Sequence, residues 1–293
     1  MRTYLDCIPC VMQNLLRTAR MVTDDERLQL EVLTETGKML EDIKLEDTPP
    51  ELVRDLYLRL SEITGDPDPY LSLRKESTQQ ALGIYPRLKQ FVEEAGDPLF
   101  AGAVVASIGN LIDYGAVKHD ISIAEEVEDM LTQEVSWKDF PAFRNDLLAA
   151  DWVLYLGDNA GETVFDRVFI ETMGKRVVYV VRGGPAINDV QMEDALDAGL
   201  QQSAEIVSSG LALCGTIPHL VSPEVQDLLA SAPIIISKGQ GNCETLNDVR
   251  GPIYFLLKVK CEKMSQLIDV PLGRLVLRRS LNYRESLDPV PGA

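Results

Sequence analysis

The chain has 293 residues, 45% hydrophobic and 25% charged, which allows one large core or two domains of ordinary globular composition. Its 46 acidic side chains against 28 basic ones leave a net charge of -18, which repels a polyanion and argues against general nucleic-acid binding. No segment reaches the roughly 18 uninterrupted apolar residues of a membrane helix. Met1 to Arg20 carry Asp6, Pro9, Arg17 and Arg20 without the apolar middle of a secretory signal, so the expectation is a cytoplasmic protein with no membrane and no nucleic-acid partner.

Cys7-Ile8-Pro9-Cys10 has metal-clip spacing, but a closed structural zinc site takes four ligands and no second Cys-x-x-Cys follows. Cys214, Cys243, Cys261, His119 or His219 could complete it only through the fold. No strand precedes the pair, as a thioredoxin-type motif requires. Cys7 and Cys10 therefore stay open between a soft-metal or redox site and two buried thiols. Five cysteines are an odd count, which argues against a disulfide framework.

From Cys7 to Leu148 the apolar residues recur at helical spacing, as in Leu28, Leu30, Leu33 and Leu40, and residues 1–149 read as an all-helical domain. Asp24-Asp25-Glu26, Thr48-Pro49-Pro50-Glu51 and Gly65-Asp66-Pro67-Asp68-Pro69 are start or turn signals between its helices. Near its end, Ser107 to Gly115 places Asn110 and Asp113 three apart, on one face if helical, either to meet a ligand or to pack helices.

After Ala150 short β-rich runs alternate with amphipathic ones. Strands are expected at 152–156, 176–181, 204–208, 233–237 and 253–259, with helices at 161–173, 190–198, 222–231 and 244–249. That alternation predicts a doubly wound α/β sheet over 150–285, followed by a loose tail, 286–293.

Three of these strands break into glycine and polar residues. The segments are Gly157-Asp158-Asn159-Ala160-Gly161-Glu162, Arg182-Gly183-Gly184-Pro185 with Asn188-Asp189, and Lys238-Gly239-Gln240-Gly241-Asn242. If the strands are parallel neighbours, all three emerge on one rim, where open α/β sheets keep their ligands. Asp158, Asn159 and Asp189 are hard oxygen donors suited to Mg²⁺ or Mn²⁺. The competing reading is that Asp158 and Asn159 merely cap the next helix. Lys238, with Gly239 letting backbone N–H groups approach, suits an anion, although the order of residues is not that of a P-loop. Arg182 is either a phosphate clamp or a charge at a strand end. Neither histidine has the company that nucleophilic catalysis needs.

With these residues in view the chain resembles the damage-control phosphatase family, long called domain of unknown function 89, in its archaeal-type branch with an N-terminal Cys-x-x-Cys. The matching points are Cys7 to Cys10, Asp68-Pro69-Tyr70, Gly109 to Asp113, Gly157 to Glu162, Arg182 to Pro185 with Asn188-Asp189-Val190, and Lys238 to Glu244. The resemblance implies a helical domain beside a Rossmann-like α/β domain, and a metal-dependent phosphomonoester hydrolase. Its substrates would be small phosphorylated metabolites, such as sugar phosphates or damaged cofactors. By motif position it assigns a divalent metal (Mg, Mn, Co or Ni) to Asp158, Asn159 and Asp189. It assigns phosphate or substrate contacts to Lys238, Asn242, Glu162, Arg182 and Asn110, with Asp158, Lys238 and Glu162 catalytic. The cysteine pair and the shorter chain depart from eukaryotic-type relatives, so substrate choice does not transfer. Two other classes stay open: a non-catalytic phosphometabolite sensor using the same rim, and a methyltransferase, for which the first strand-turn has too few glycines.

Overall fold

A computed structural model describes residues 1–109, 135 and 137–283. Asn110, Asp113, His119 and the 286–293 tail lie outside the described residues. Helices α1 (Cys7–Val22), α2 (Glu26–Met39) and α3 (Pro49–Thr64) pack around Val11, Leu15, Val32, Leu56 and Leu60, a small core of their own. Their boundaries follow local chemistry. The Asp25 side chain accepts from the Arg27 N–H to start α2, Thr48 and Glu51 cap α3 reciprocally, and Gly65 ends α3 in the left-handed region at φ 72°.

Helices α4 (Leu71–Glu94), α5 (Pro98–Ile108) and α6 (Phe140–Ala149) belong to a different core. With α7 (Glu162–Met173) they cover one face of the sheet, joining Val105 and Phe143 to Val153, Tyr155 and Tyr254. α5 is buried from Ala101 to Ile108, as suits a helix that is apolar all round. The helices of the first half are therefore divided between two cores, one of which they share with the strands.

The sheet contains β1 (Trp152–Leu156), β2 (Arg176–Val181), β3 (Glu205–Ser208), β4 (Ile235–Lys238), β5 (Ile253–Lys258) and β6 (Leu275–Arg279), in the order β3-β2-β1-β4-β5-β6. All neighbours are parallel except β5 and β6. Leu154 is in register with Val178 on one side and Ile235 on the other. The pleat sends Val153 and Tyr155 towards α7. It sends Leu154 and Leu156 to the opposite face, under α9 (Pro223–Ser231), α10 (Gly239–Leu246) and α11 (Glu262–Ile268), while the short α8 (Met192–Asp197) lies between β2 and β3 in the chain. Helices on both faces make this the doubly wound α/β fold expected from the alternation of runs. Its order reverses between β1 and β4, which opens a crevice beyond those strand ends.

One local expectation is corrected, and two elements are new. α10 begins at Gly239 instead of residue 244, because close packing in the tertiary structure overrides the poor helix propensity of Gly-Gln-Gly-Asn. α11 and the antiparallel β6 were not anticipated; β6 ends in two arginines and follows a Pro-Leu-Gly turn, so its pattern is cut short. No described helix is long and apolar enough to cross a membrane.

At the end of β2, Gly183 lies directly against the chain beyond β3: a Cβ there would come 2.4 Å from the Gly210 carbonyl carbon. The Gly183 N–H donates to Leu211 O at 3.0 Å across this contact. Gly183→Ala must push two backbones apart, so it is expected to cost about 1–3 kcal/mol, read as a lower urea midpoint. An unchanged midpoint would show that the two segments do not need this approach.

Candidate active site

The loops after β1 and β2 are tied to each other before any side chain is considered. Asn159 and Asp189 form an antiparallel bridge; Val190 N–H donates to Asp158 O at 2.8 Å and Ala160 N–H to Asn188 O at 3.0 Å. The pairing brings Asp158, Asn159 and Asp189 together, as the rim argument expects. The N-cap of α7 is Gly161, which has no side chain with which to cap it. The Asn159 amide nitrogen donates to Asp158 Oδ2 at 3.1 Å and to Glu162 Oε1 at 2.5 Å. Its carbonyl oxygen is thereby turned to the other side of the amide.

β4 supplies the counter-charge. Lys238 is 1% exposed, and its ammonium donates to Glu162 Oε2 at 2.8 Å, Asp166 Oδ1 at 2.5 Å and Ala106 O at 2.9 Å at the end of α5. These three contacts use all its protons. Burial works against the Lys238 charge, but Asp166 and Glu162 outweigh it and hold the ammonium above its usual range. Arg182 is equally enclosed. Its guanidinium donates to Asp189 Oδ2 at 2.7 Å, Gly215 O at 2.8 Å, Gly157 O at 3.2 Å and Asn242 Oδ1 at 3.3 Å, which rules out an exposed strand-end charge.

Asn242 on α10 is a tie among these loops, donating to Gly157 O at 3.0 Å and Lys238 O at 2.8 Å while accepting from Thr216 at 2.8 Å. Gly239 is required twice over. Its φ is 78°, and a Cβ would sit 1.9 Å from Asp158 Oδ2.

Asp166 is the member that sequence reasoning missed. Tyr155 and Tyr179, adjacent in register, each donate a hydroxyl to it, at 2.7 and 2.8 Å. A legible signal existed: Asp166 stands four residues after Glu162 on an otherwise apolar stretch of α7, so both acids fall on one face.

Charge counting gives the site its character. Among the described residues, Asp158, Glu162, Asp166 and Asp189 are buried beside two buried cations, Arg182 and Lys238. Burial, with Asp189 and Glu162 nearby, holds the Asp158 carboxyl well above its usual range. Burial raises Asp189 as well, against the pull of Arg182. Among the described residues no three His, Cys, Asp or Glu side chains gather as a ready metal cage. The set here is two carboxylates and an amide, hard oxygen donors short of positive charge, and it fits a divalent cation.

Cys7 and Cys10 lie apart from this cluster, in the first turn of α1. The fold sets them near Cys261 and Glu244, whose side chains share the Gln240 amide at 3.5 and 2.9 Å. Burial raises both thiols, and Cys261 adds to the rise at each. All five cysteines are free.

Residues 3–276 match the damage-control phosphatase ARMT1-like domain. A damage-control phosphatase of Archaeoglobus fulgidus is 33% identical over 93% of this chain and 97% of its own length. A damage-control phosphatase of Pyrococcus horikoshii is 31% identical over 96% and 99%. The crystal structure of a domain of unknown function 89 protein from Pyrococcus horikoshii superposes with a TM-score of 0.88 at 29% identity, over 96% of this chain and 99% of that one.

Lys238→Met would leave Glu162 and Asp166 buried without their shared cation. It is expected to cost about 3–5 kcal/mol in urea unfolding, and a loss within error of zero would show that the carboxylates find other partners. Glu244 offers a pH-resolved test. Burial pushes its carboxyl from 4.5 up to about 7, against the Gln240 amide. The native state then holds this proton more tightly than the unfolded chain, so stability is lost as pH rises from 4.5 through about 7. Glu244→Gln removes that penalty and is expected to raise unfolding free energy by about 3 kcal/mol at pH 8 and by little at pH 4. An equal gain at both pH values would contradict the raised carboxyl.

Proposed function

The chain belongs to the damage-control phosphatase ARMT1-like family, and from that membership we propose that it is a metal-dependent phosphomonoester hydrolase acting on small phosphorylated metabolites. The observation that carries the reading is the charge deficit at the strand-order reversal, where four buried carboxylates meet two buried cations. Such a deficit favours a cation, and a cation in turn favours a phosphate.

Asp158, Asn159 and Asp189 are the residues that would hold the ion, whether Mg²⁺, Mn²⁺, Co²⁺ or Ni²⁺. When bound it would supply Lewis-acid polarisation of a phosphate oxygen. The chain's own groups do the positioning. Glu162 takes the Asn159 amide and so orients its carbonyl oxygen, while Arg182 holds Asp189 through Nε. Lys238 and Arg182 place positive charge beneath the crevice, in a dry site where it acts more strongly than in water. The N-terminal ends of α7 and of α10, at Gly239, favour an anion through their dipoles. Asp158 lacks an Asp-x-Asp partner, so attack by water is favoured over an aspartyl phosphoenzyme. In this division of labour residues 150–285 carry the ion and phosphate, and helices within 1–149 support and cover them.

The test is phosphate release from a panel of phosphomonoesters, with and without Mg²⁺, Mn²⁺, Co²⁺ and Ni²⁺. Metal-dependent release is expected, with Asp158→Ala and Asp189→Ala each losing at least about a hundredfold in kcat/KM while their circular dichroism is unchanged. Release that persists in Asp158→Ala would remove the metal assignment. Tight ligand binding without release would favour a sensor.

A further inference from the structure

A cavity of about 560 Å³ lies beside the carboxylate cluster, within the size range of small-molecule sites. One wall is α3 and the turn that follows it, with Tyr57, Leu58 and Tyr70; the other is Pro185-Ala186-Ile187 after β2, with Leu213 and Cys214. The cavity and the cluster are continuous along the chain, because Ile187 leads directly into Asn188 and Asp189. In space, Cys214 on the cavity wall links the two. The Cys214 thiol donates to Ala186 O at 3.2 Å and lies within electrostatic reach of Asp189, Arg182 and Asp158.

Much of the polar capacity of this lining is already engaged. The Tyr57 and Tyr70 hydroxyls both meet Thr18 Oγ1, at 3.2 and 2.6 Å. Both oxygens of Asp68 accept from Arg74 at 2.8 Å. Arg54 donates to Asp55 and Glu62 accepts from Arg59, each at 2.9 Å. What they leave is largely carbon: tyrosine rings, proline edges, Leu58, Ile187 and Leu213.

Ile187 adds an independent indication. Its φ of 52° puts a β-branched residue in the left-handed region, where glycine or asparagine would sit without strain. The chain bears that strain at a position that presents aliphatic carbon to the cavity, and such outliers concentrate at ligand sites.

We propose that this cavity is the subsite for the organic group of the phosphorylated ligand, and that it selects a compact aromatic or apolar group over a polyhydroxylated sugar. A sugar hydroxyl moved from water against these walls loses hydrogen bonds that the engaged side chains do not replace. An aromatic ring keeps its desolvation gain and meets the tyrosine faces. The assignment narrows the substrate class of the hydrolase reading and rests on it for turnover, but its binding preference stands separately.

The experiment is calorimetric titration of the full chain in Mg²⁺ with benzylphosphonate and with a sugar phosphonate, followed by kcat/KM for phenyl phosphate and glucose 6-phosphate. Benzylphosphonate is expected to bind at least about tenfold tighter. Ile187→Asn, whose side chain tolerates the left-handed backbone, and Leu58→Asn on the opposite wall are each expected to narrow that ratio at least about threefold without lowering the melting temperature. Equal affinities, a ratio unchanged in both variants, or binding of neither ligand would overturn the subsite. Preferential binding with no phosphate release from either ester would keep the subsite and overturn the hydrolase. Equal kcat/KM for the two esters would keep the hydrolase and overturn the selectivity.

Discussion

Four carboxylates buried against two cations form the constraint around which the rest of this structure is arranged. Buried charge is tolerated only where it is paired and hydrogen-bonded, so every element that reaches the cluster is bound by that requirement. Lys238 answers two acids from the end of β4, and Arg182 answers a third from the residue after β2. Tyr155 and Tyr179, in register on neighbouring strands, spend their hydroxyls on Asp166, and their own ionisation is pushed far up by burial. The net shortage of positive charge that remains makes the crevice receptive to a cation.

Close backbone approach is what lets so many groups share so little space. Gly239 admits the Asp158 carboxylate, Gly157 lies against the Tyr179 ring at 2.6 Å for a hypothetical Cβ, and Gly241 lies against Cys214 O at 2.2 Å by the same measure. Helix α5 takes part through Ala106 O, which accepts from Lys238, and its C-cap Gly109 lies against Phe165 and the Glu162 backbone. The cluster is thus assembled from the last turn of a helix of the first half and, in the second, from helix α7 and the loops and strand ends beside it. That shared construction explains why the core of α4 to α6 is continuous with the sheet, whereas α1 to α3 keep a core of their own.

On the other flank, the segment from Arg182 to Val190 connects two environments. Its end carries Asp189 into the charged cluster, and its middle carries Pro185, Ala186 and the strained Ile187 along a cavity walled mostly by carbon. On the proposed reading, the charged cluster and the adjoining apolar pocket would divide the two tasks of a hydrolase, anchoring the reacting group and choosing what it is attached to.

The sequence by itself determined the alternation of strands and helices after Ala150, because buried parallel strands must be apolar runs and the helices between them amphipathic. It also determined which residues stand at or just beyond the strand ends, Asp158, Asn159 and Lys238, with Asp189 in the loop after β2, since polar residues that interrupt such runs have few places to go. Only the tertiary structure decided what those residues touch. Lys238 and Arg182, readable as phosphate ligands, turn out to be spent on carboxylates and carbonyls. The helical start at Gly239, the recruitment of Asp166 and the placing of Cys261 and Glu244 near Cys7 and Cys10 were hidden for one reason. Periodicity reports which face of an element is buried, but pairing across elements depends on register, strand order and close packing, which no local stretch of sequence encodes.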